Sequence, residues 1–137
     1  MPDLQTLLIW IIPILFAITL HEAAHGWVAS KFGDHTARMM GRVTLNPVKH
    51  IDPVGTILVP AVLLIMSTGF IFGWAKPVSV NPQNLNNPRK DQLLIAAAGS
   101  LSNFVLAIFF LIGIKISVAF EIAAGFAFCN TGFILNV

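Results

Sequence analysis

The chain has 137 residues, of which 56% are hydrophobic and only 10% are charged. Soluble globular domains carry about 25% charged residues, so this composition excludes an ordinary soluble domain and indicates an integral membrane protein. The net charge is +2 and the basic residues are spread through polar connections, which gives no indication of nucleic-acid binding. The single cysteine, Cys129, excludes an internal disulfide and a Cys-rich zinc site.

A first membrane helix is predicted from residue 4 to about residue 29, because this stretch supplies the roughly 20 apolar residues that cross the hydrocarbon core. It contains the pattern H-E-x-x-H, formed by His21, Glu22 and His25. Residues i and i+4 lie on one face of a helix, so the two imidazoles can bind one metal ion whose water the carboxylate can reach. This arrangement is typical of zinc hydrolases. The alternative, two histidines hydrogen-bonded to neighbours, is disfavoured by the cost of ionisable groups in an apolar helix.

The polar stretch 31–52 follows, and its basic residues favour the cytoplasmic side of the membrane. Partial alternation of apolar and polar residues predicts a short β-strand over 38–45. His50 and Asp52 stand just before the next apolar run. They either face the active site or are interfacial polar residues without a catalytic role, and the second interpretation is favoured.

The apolar run 54–72 either spans the membrane once or turns back near Met66 as a re-entrant hairpin. A single span would place the polar loops on either side of it in opposite compartments, although both loops carry basic residues. The positive-inside rule therefore slightly favours the hairpin. The following loop, 73–92, is rich in Pro and Asn, which predicts irregular or extended chain. That loop either takes up a substrate strand by β-addition or is a plain connection.

A further membrane helix is predicted from residue 93 to about residue 118, and another apolar segment from 121 to 137. Asn103 is the one strongly polar side chain in the middle of the first of these. It either hydrogen-bonds a substrate carbonyl or transition-state oxyanion, or makes a helix–helix hydrogen bond. The whole pattern predicts one all-α polytopic membrane domain over 1–137. We expect three or four membrane helices, one of them re-entrant in the hairpin alternative, and short extended segments in the polar loops.

With these elements placed, the chain resembles the site-2 protease family of intramembrane zinc metalloproteases (peptidase family M50), specifically its small prokaryotic members. The motifs that carry the resemblance are HEAAHG at 21–26, NPVKHIDP at 46–53, GWAKPV at 73–78 and AGSLSN at 98–103. The resemblance implies that His21 and His25 are zinc ligands, that Glu22 is the general base, and that Asn103 lies on the helix beside them. It implies hydrolysis of peptide bonds in transmembrane substrates within a multi-pass protein of the prokaryotic inner membrane.

The sequence departs from the family in two places. Ser100 stands where the family usually has Pro, and we expect only a local effect. The third zinc ligand of the family is an Asp in an Asp-Gly motif on a later membrane helix, but no Asp follows Asp91. We therefore expect a C-terminally incomplete domain, which places the activity of the short chain in doubt. Substitutes for the missing ligand lie near predicted helix ends, about 15 Å or more from the metal by helix rise; they are His50, Asp52, Asp91 and Glu121.

Two other functions are compatible with the same residues. The chain could be a truncated pseudoprotease, a non-catalytic membrane protein that binds partner helices in the same groove. That hypothesis predicts no zinc and no dependence on Glu22. A transporter that couples ions through His and Glu is the weaker alternative, because the hydropathy profile has no inverted repeat.

Overall fold

The computed structural model describes residues 3–135, with side chains through residue 129. Regular structure in this part of the chain is entirely helical, which confirms the all-α class. The helices are α1 (Leu4–Lys31), α2 (Thr36–Met39), α3 (Val59–Ile65) and α4 (Pro88–Leu135). Short 3₁₀ turns lie at Pro47–His50 and Pro82–Asn84, and a π-helical stretch, Pro53–Leu58, leads directly into α3.

Helix α1 begins at the predicted residue 4 and ends at Lys31, close to the predicted end at about residue 29. The side chain of Asp3 accepts a hydrogen bond of 2.8 Å from the backbone N–H of Thr6, which caps the first turn. At the other end Gly33 adopts a φ of +107°, a conformation that glycine reaches without strain and that stops the helix. The 28 residues between these ends rise about 42 Å, which is enough to cross a bilayer.

The C-terminal half of α1 is covered by other parts of the chain along a stripe of small side chains. A Cβ atom added at Gly26 would lie 3.0 Å from the side chains of Ala37 and Val43 and 3.3 Å from that of Val78. Small residues allow this close approach between elements in a membrane protein. The buried members of the stripe are Thr19, Ala23, Gly26, Ala29 and Ser30.

The β-strand predicted over 38–45 is wrong, because residues 36–39 form the short helix α2. The carboxylate of Asp34 accepts hydrogen bonds from both the backbone N–H and the hydroxyl of Thr36 at the start of this turn. Such local capping competes with extended structure. A strand also needs a neighbouring strand, and none is present in the described part of the chain.

The apolar run 54–72 forms a hairpin instead of one continuous span. Its helical residues, Pro53–Ile65, rise about 20 Å, which is less than the roughly 30 Å of the hydrocarbon core. The chain then turns at Ser67 and Gly69, where φ is +51° and +70°, close to the predicted turn at Met66. The backbone N–H of Trp74 donates to the carbonyl of Gly55 over 3.0 Å, so the chain returns to its starting point. Placement of this hairpin in the bilayer stays a prediction.

Helix α4 is a single helix of 48 residues. The predicted break between residues 118 and 121 is wrong, because no proline or glycine stands there to interrupt it. The chain divides into two compact units, of which the first ends at Asn103 and the second begins at Phe104. Within the described residues, two helices are long and apolar enough to cross a membrane, Leu4–Lys31 and Pro88–Cys129.

The core of the first unit is small and lies where three segments meet. Ala29 of α1, Leu85 of the loop before α4 and Ile95 of α4 are buried against one another. Val28, Phe32 and Val80 pack around them. This cluster holds the early turns of α4 beside the C-terminal half of α1, which is the half that carries the H-E-x-x-H pattern.

Candidate metal centre and active site

His21 and His25 lie one helical turn apart on the covered half of α1. Their ring centroids are 4.5 Å apart and the ring planes meet at 87°. Both side chains are half-buried, as is Glu22 between them. The structure thus brings together the three residues of the pattern on a part of α1 that faces other protein segments.

The hydrogen bond made by His25 determines which of its nitrogens is free. Nδ1 lies 2.6 Å from the backbone carbonyl oxygen of Ile95 on α4. A carbonyl oxygen can only accept, so Nδ1 carries the proton and donates it. In a neutral imidazole the other nitrogen, Nε2, then has a free lone pair, which is the form that binds a metal ion.

His21 has a different neighbour. Its Nδ1 lies 3.3 Å from the side-chain amide nitrogen of Asn103 on α4, while the amide oxygen of Asn103 is buried without a hydrogen-bond partner in the described structure. The predicted site residue Asn103 therefore contacts a predicted metal ligand directly. Its predicted role towards substrate or an oxyanion stays a prediction.

Gly99 allows α4 to approach both imidazoles. A Cβ atom added at this position would lie 2.5 Å from Nε2 of His25 and 2.6 Å from Cε1 of His21. Those distances are shorter than any normal van der Waals contact, so no larger residue fits without movement of the rings. The two imidazole rings thus pack into the space that the missing side chain of Gly99 leaves.

Glu22 is held by the loop that precedes α4. Its Oε2 accepts a hydrogen bond of 2.8 Å from the backbone N–H of Val78. The N–H groups of Trp74 and Lys76 donate in the same manner to the carbonyls of Gly55 and His50, over 3.0 and 2.9 Å. Alternate residues of an extended chain direct their backbone groups to the same side. Glu22 is therefore the last of three partners along one edge of an extended segment, 73–80.

The opposite edge of segment 73–80 is largely unpaired. The backbone N–H groups of Ala75 and Ser79 have no partner among the described residues. The carbonyl of Pro77 accepts a hydrogen bond of 2.8 Å from the guanidinium of Arg42. This edge resembles the free edge of a β-sheet, to which another extended chain can add.

Three of the four side chains weighed as substitute metal ligands make local hydrogen bonds. The carboxylate of Asp52 caps the π-helical stretch, and hydrogen bonds from the N–H groups of Gly55 and Val54 lower its pKa. His50 is buried, with Nε2 3.1 Å from the carbonyl of Thr44. Asp91 accepts from a backbone N–H at the start of α4. In the described part of the chain, no three His, Cys, Asp or Glu side chains are grouped to hold a metal ion.

Asp34 is a buried carboxylate that the sequence pattern did not single out. Besides Thr36, it accepts hydrogen bonds from the backbone N–H of Asn81 over 2.7 Å and from the side-chain amide of Asn84 over 3.2 Å. Burial by itself raises the pKa of Asp34, but these hydrogen bonds outweigh it and hold the pKa below its ordinary value. Asp34 thereby ties the end of α1 to the end of segment 73–80. Its sequence context, just after a helix-stopping glycine, indicates only a turn.

The residues present fit a zinc ion in part. Imidazole nitrogens are preferred zinc ligands, and the rings of His21 and His25 meet beside Gly99, with Glu22 next to His21 in sequence. Nε2 of His25 is already in the metal-binding form. Catalytic zinc sites have three protein ligands, and the described residues bring two together here.

Comparison with known proteins was consistent with this chemistry. A sequence model of peptidase family M50 matches residues 9–134. The chain is 44% identical over 119 residues to YwhC of Bacillus subtilis (strain 168). It is 31% identical over 98 residues to Rip2 of Mycolicibacterium smegmatis (strain ATCC 700084 / mc(2)155). Both relatives are named as putative zinc metalloproteases.

The relatives are longer than this chain. The match to YwhC covers 85% of this chain and 51% of YwhC, and the match to Rip2 covers 71% of this chain and 36% of Rip2. The chain thus spans about half the length of the first relative. No solved structure matches the chain significantly.

Proposed function

Because the chain belongs to peptidase family M50, the site-2 protease family of membrane zinc proteases, we propose that it acts in the hydrolysis of transmembrane substrates within the membrane. The observation that carries this proposal is the convergence of His21 and His25 on the space beside Gly99, with Glu22 between them. Residues 1–137 would belong to one protease domain of a multi-pass protein in the prokaryotic inner membrane.

His21 and His25 would hold the zinc ion through their imidazole nitrogens. A bound zinc ion would polarise the scissile carbonyl and lower the pKa of the attacking water. The hydrogen bond to Ile95 fixes the ring of His25 and makes its Nε2 more basic. In the described part of the chain, no third side chain joins these two histidines to complete the zinc site.

Glu22 would act as the general base and then as the general acid. It accepts the proton of the attacking water and delivers it to the leaving amine. The N–H of Val78 holds Oε2, which leaves Oε1 to exchange the proton. This hydrogen bond keeps the carboxylate in one position.

The substrate would bind in an extended form along segment 73–80. A helical peptide bond is shielded by its own hydrogen bonds, so the substrate must unwind locally before cleavage. The free N–H groups of Ala75 and Ser79 can take up the released backbone by β-addition. Segment 73–80 would thus bind substrate on one edge while its other edge holds Glu22.

A pseudoprotease is the second candidate, and the lack of a grouped third ligand in the described residues is the observation that favours it. In that case the same edge would bind partner helices or their unwound segments without cleavage. This candidate requires neither zinc nor the carboxylate of Glu22.

Zinc content per chain, measured on purified protein in detergent, tests the proposal. We expect close to one zinc per chain in the wild type, loss of it in His21→Ala, and retention in His35→Ala, a matched exposed histidine. We expect Glu22→Gln to retain zinc and to lose cleavage of a transmembrane reporter by about 10²- to 10⁴-fold. Wild-type protein without zinc would overturn the protease function and leave the pseudoprotease.

A further inference from the structure

We propose that Asn103 is a positioning residue for His21: its amide oxygen accepts a hydrogen bond from Nδ1–H and holds the ring in the tautomer whose Nε2 can bind zinc. This proposal deepens the function proposed above and rests on it. Asn103 on α4 would act on the metal only through His21 on α1 and would not contact the substrate.

The placement of the Asn103 amide conflicts with zinc binding through Nε2 of His21. The amide nitrogen lies 3.3 Å from Nδ1 of His21, so in this orientation the amide donates to Nδ1. Nδ1 must then carry the lone pair, which leaves the proton of a neutral imidazole on Nε2. A protonated Nε2 cannot bind a metal ion. The amide oxygen meanwhile stays buried without a partner in the described structure.

Exchange of the two amide ends removes the conflict. The oxygen and nitrogen of an Asn side chain have nearly the same shape, and their assignment follows from the hydrogen-bond network. With the oxygen towards His21, Nδ1–H donates to it and Nε2 gains the free lone pair. Either orientation leaves one end of the amide unpaired. The two orientations therefore differ only in whether Nε2 of His21 is free to bind zinc.

His25 supports this orientation by comparison. It already donates Nδ1–H to an acceptor on α4, the carbonyl of Ile95, over 2.6 Å. With the amide oxygen of Asn103 as acceptor, both histidines would have the same tautomer and both acceptors would lie on α4. The two acceptors differ in one respect. The Ile95 carbonyl belongs to the backbone and is kept in any variant, whereas the Asn103 amide can be removed by mutation.

The test uses three variants that differ in the hydrogen-bonding groups they present to Nδ1 of His21. Asn103→Asp keeps an acceptor and cannot donate when ionised, whereas Asn103→Leu keeps the approximate size and removes both functions. Ser102→Ala is the matched control, since its hydroxyl bonds to the carbonyl of Gly99 on the same helix turn. Circular dichroism of each variant in detergent reports whether the helices are retained.

The first readout is ¹⁵N NMR of histidine-labelled, metal-free protein, with the His21 signals assigned from His21→Ala. We expect a protonated Nδ1 and an unprotonated Nε2 in the wild type and in Asn103→Asp, and a loss of that preference in Asn103→Leu. A wild-type His21 protonated on Nε2, or a tautomer unchanged by Asn103→Leu, would overturn the proposal. This readout does not depend on whether the chain binds zinc.

The second readout is zinc affinity, measured by competition with a chelator. Loss of a partner that orients a ligand histidine lowers metal affinity roughly 10- to 100-fold. We expect that loss in Asn103→Leu, with wild-type or tighter binding in Asn103→Asp and no change in Ser102→Ala. Equal loss in the Asp and Leu variants would contradict an acceptor role. Absence of zinc from the wild type would instead count against the proposed function, and the NMR result would still decide the contact.

Discussion

The two halves of α1 differ both in composition and in surroundings. From Leu4 to Phe16 the large apolar side chains are mostly exposed, as expected of a surface that contacts lipid. From Thr19 to Lys31 the buried residues are small, and α2, α4 and segment 73–80 contact the helix. The first half is mostly apolar, whereas the second carries the H-E-x-x-H pattern and a terminal lysine. The small residues and the polar pattern mark the half that the protein covers, and the candidate active site lies only there.

The contact at Gly99 should give the largest difference between covered and exposed positions. We expect Gly99→Ala to destabilise the protein by about 1–3 kcal/mol and to abolish zinc binding, because the new Cβ would overlap both imidazoles. Gly113→Ala is the matched control on α4, since a Cβ there meets no atom within 4 Å. Thermal unfolding in detergent and zinc content measure both effects. Wild-type zinc binding by Gly99→Ala would show that the rings do not converge at this position.

The hydrogen bond from Val78 to Glu22 should have the next largest effect. Val78→Pro removes the N–H donor, and an extended backbone accommodates proline. A hydrogen bond to a charged group contributes about 1.5–3 kcal/mol, so we expect the cleavage rate of a transmembrane reporter to fall roughly 10- to 100-fold with unchanged zinc content. Val78→Ala keeps the N–H and removes only packing against the Gly26 region. Equal losses in the two variants would assign the effect to packing.

The two carboxylates that flank α1 should give the smallest difference. The pKa of Asp34 is below its ordinary value of 3.8, so ionised Asp34 stabilises the fold above that pH, and the contribution is lost as the pH falls through the lowered pKa. We expect Asp34→Asn to lower stability at neutral pH by about 1–3 kcal/mol and to reduce the loss of stability on acidification.

Asp3 provides the matched comparison for Asp34. Side-chain and backbone hydrogen bonds with Thr6 also lower its pKa, but Asp3 lies on the exposed end of the helix. Asparagine caps helices as well as aspartate does, so we expect Asp3→Asn to leave the melting temperature nearly unchanged. Unfolding temperatures measured across acidic and neutral pH test both variants. Equal effects at the two ends would contradict a distinct role for the buried carboxylate.

Some sequence predictions failed because they treated a segment in isolation. The alternation over 38–45 is real, but a strand requires a partner, and Asp34 instead caps a helical turn at Thr36. The predicted break before Glu121 divided the apolar sequence into segments of about the length of one membrane span. Without proline or glycine at that point, α4 continues.

The sequence alone determined the features that depend on local geometry. The rise and turn of a helix place His21 and His25 on one face whatever surrounds them, and Gly33 is a helix-stopping residue after α1. For the run 54–72 the sequence left a single span and a hairpin open, and the loop charges only slightly favoured the hairpin.

Only the tertiary structure decided what meets these residues. Val78 lies 56 positions from Glu22 and Asn103 lies 82 positions from His21, and their contacts arise because the covered half of α1 packs against two later segments. No periodic pattern in the sequence predicts contacts between residues this far apart in the chain. The role of Gly99 was likewise not predictable, because a glycine is required there only since α4 contacts the two histidines at that position. Helical periodicity is a property of neighbouring residues, whereas packing is a property of the whole chain.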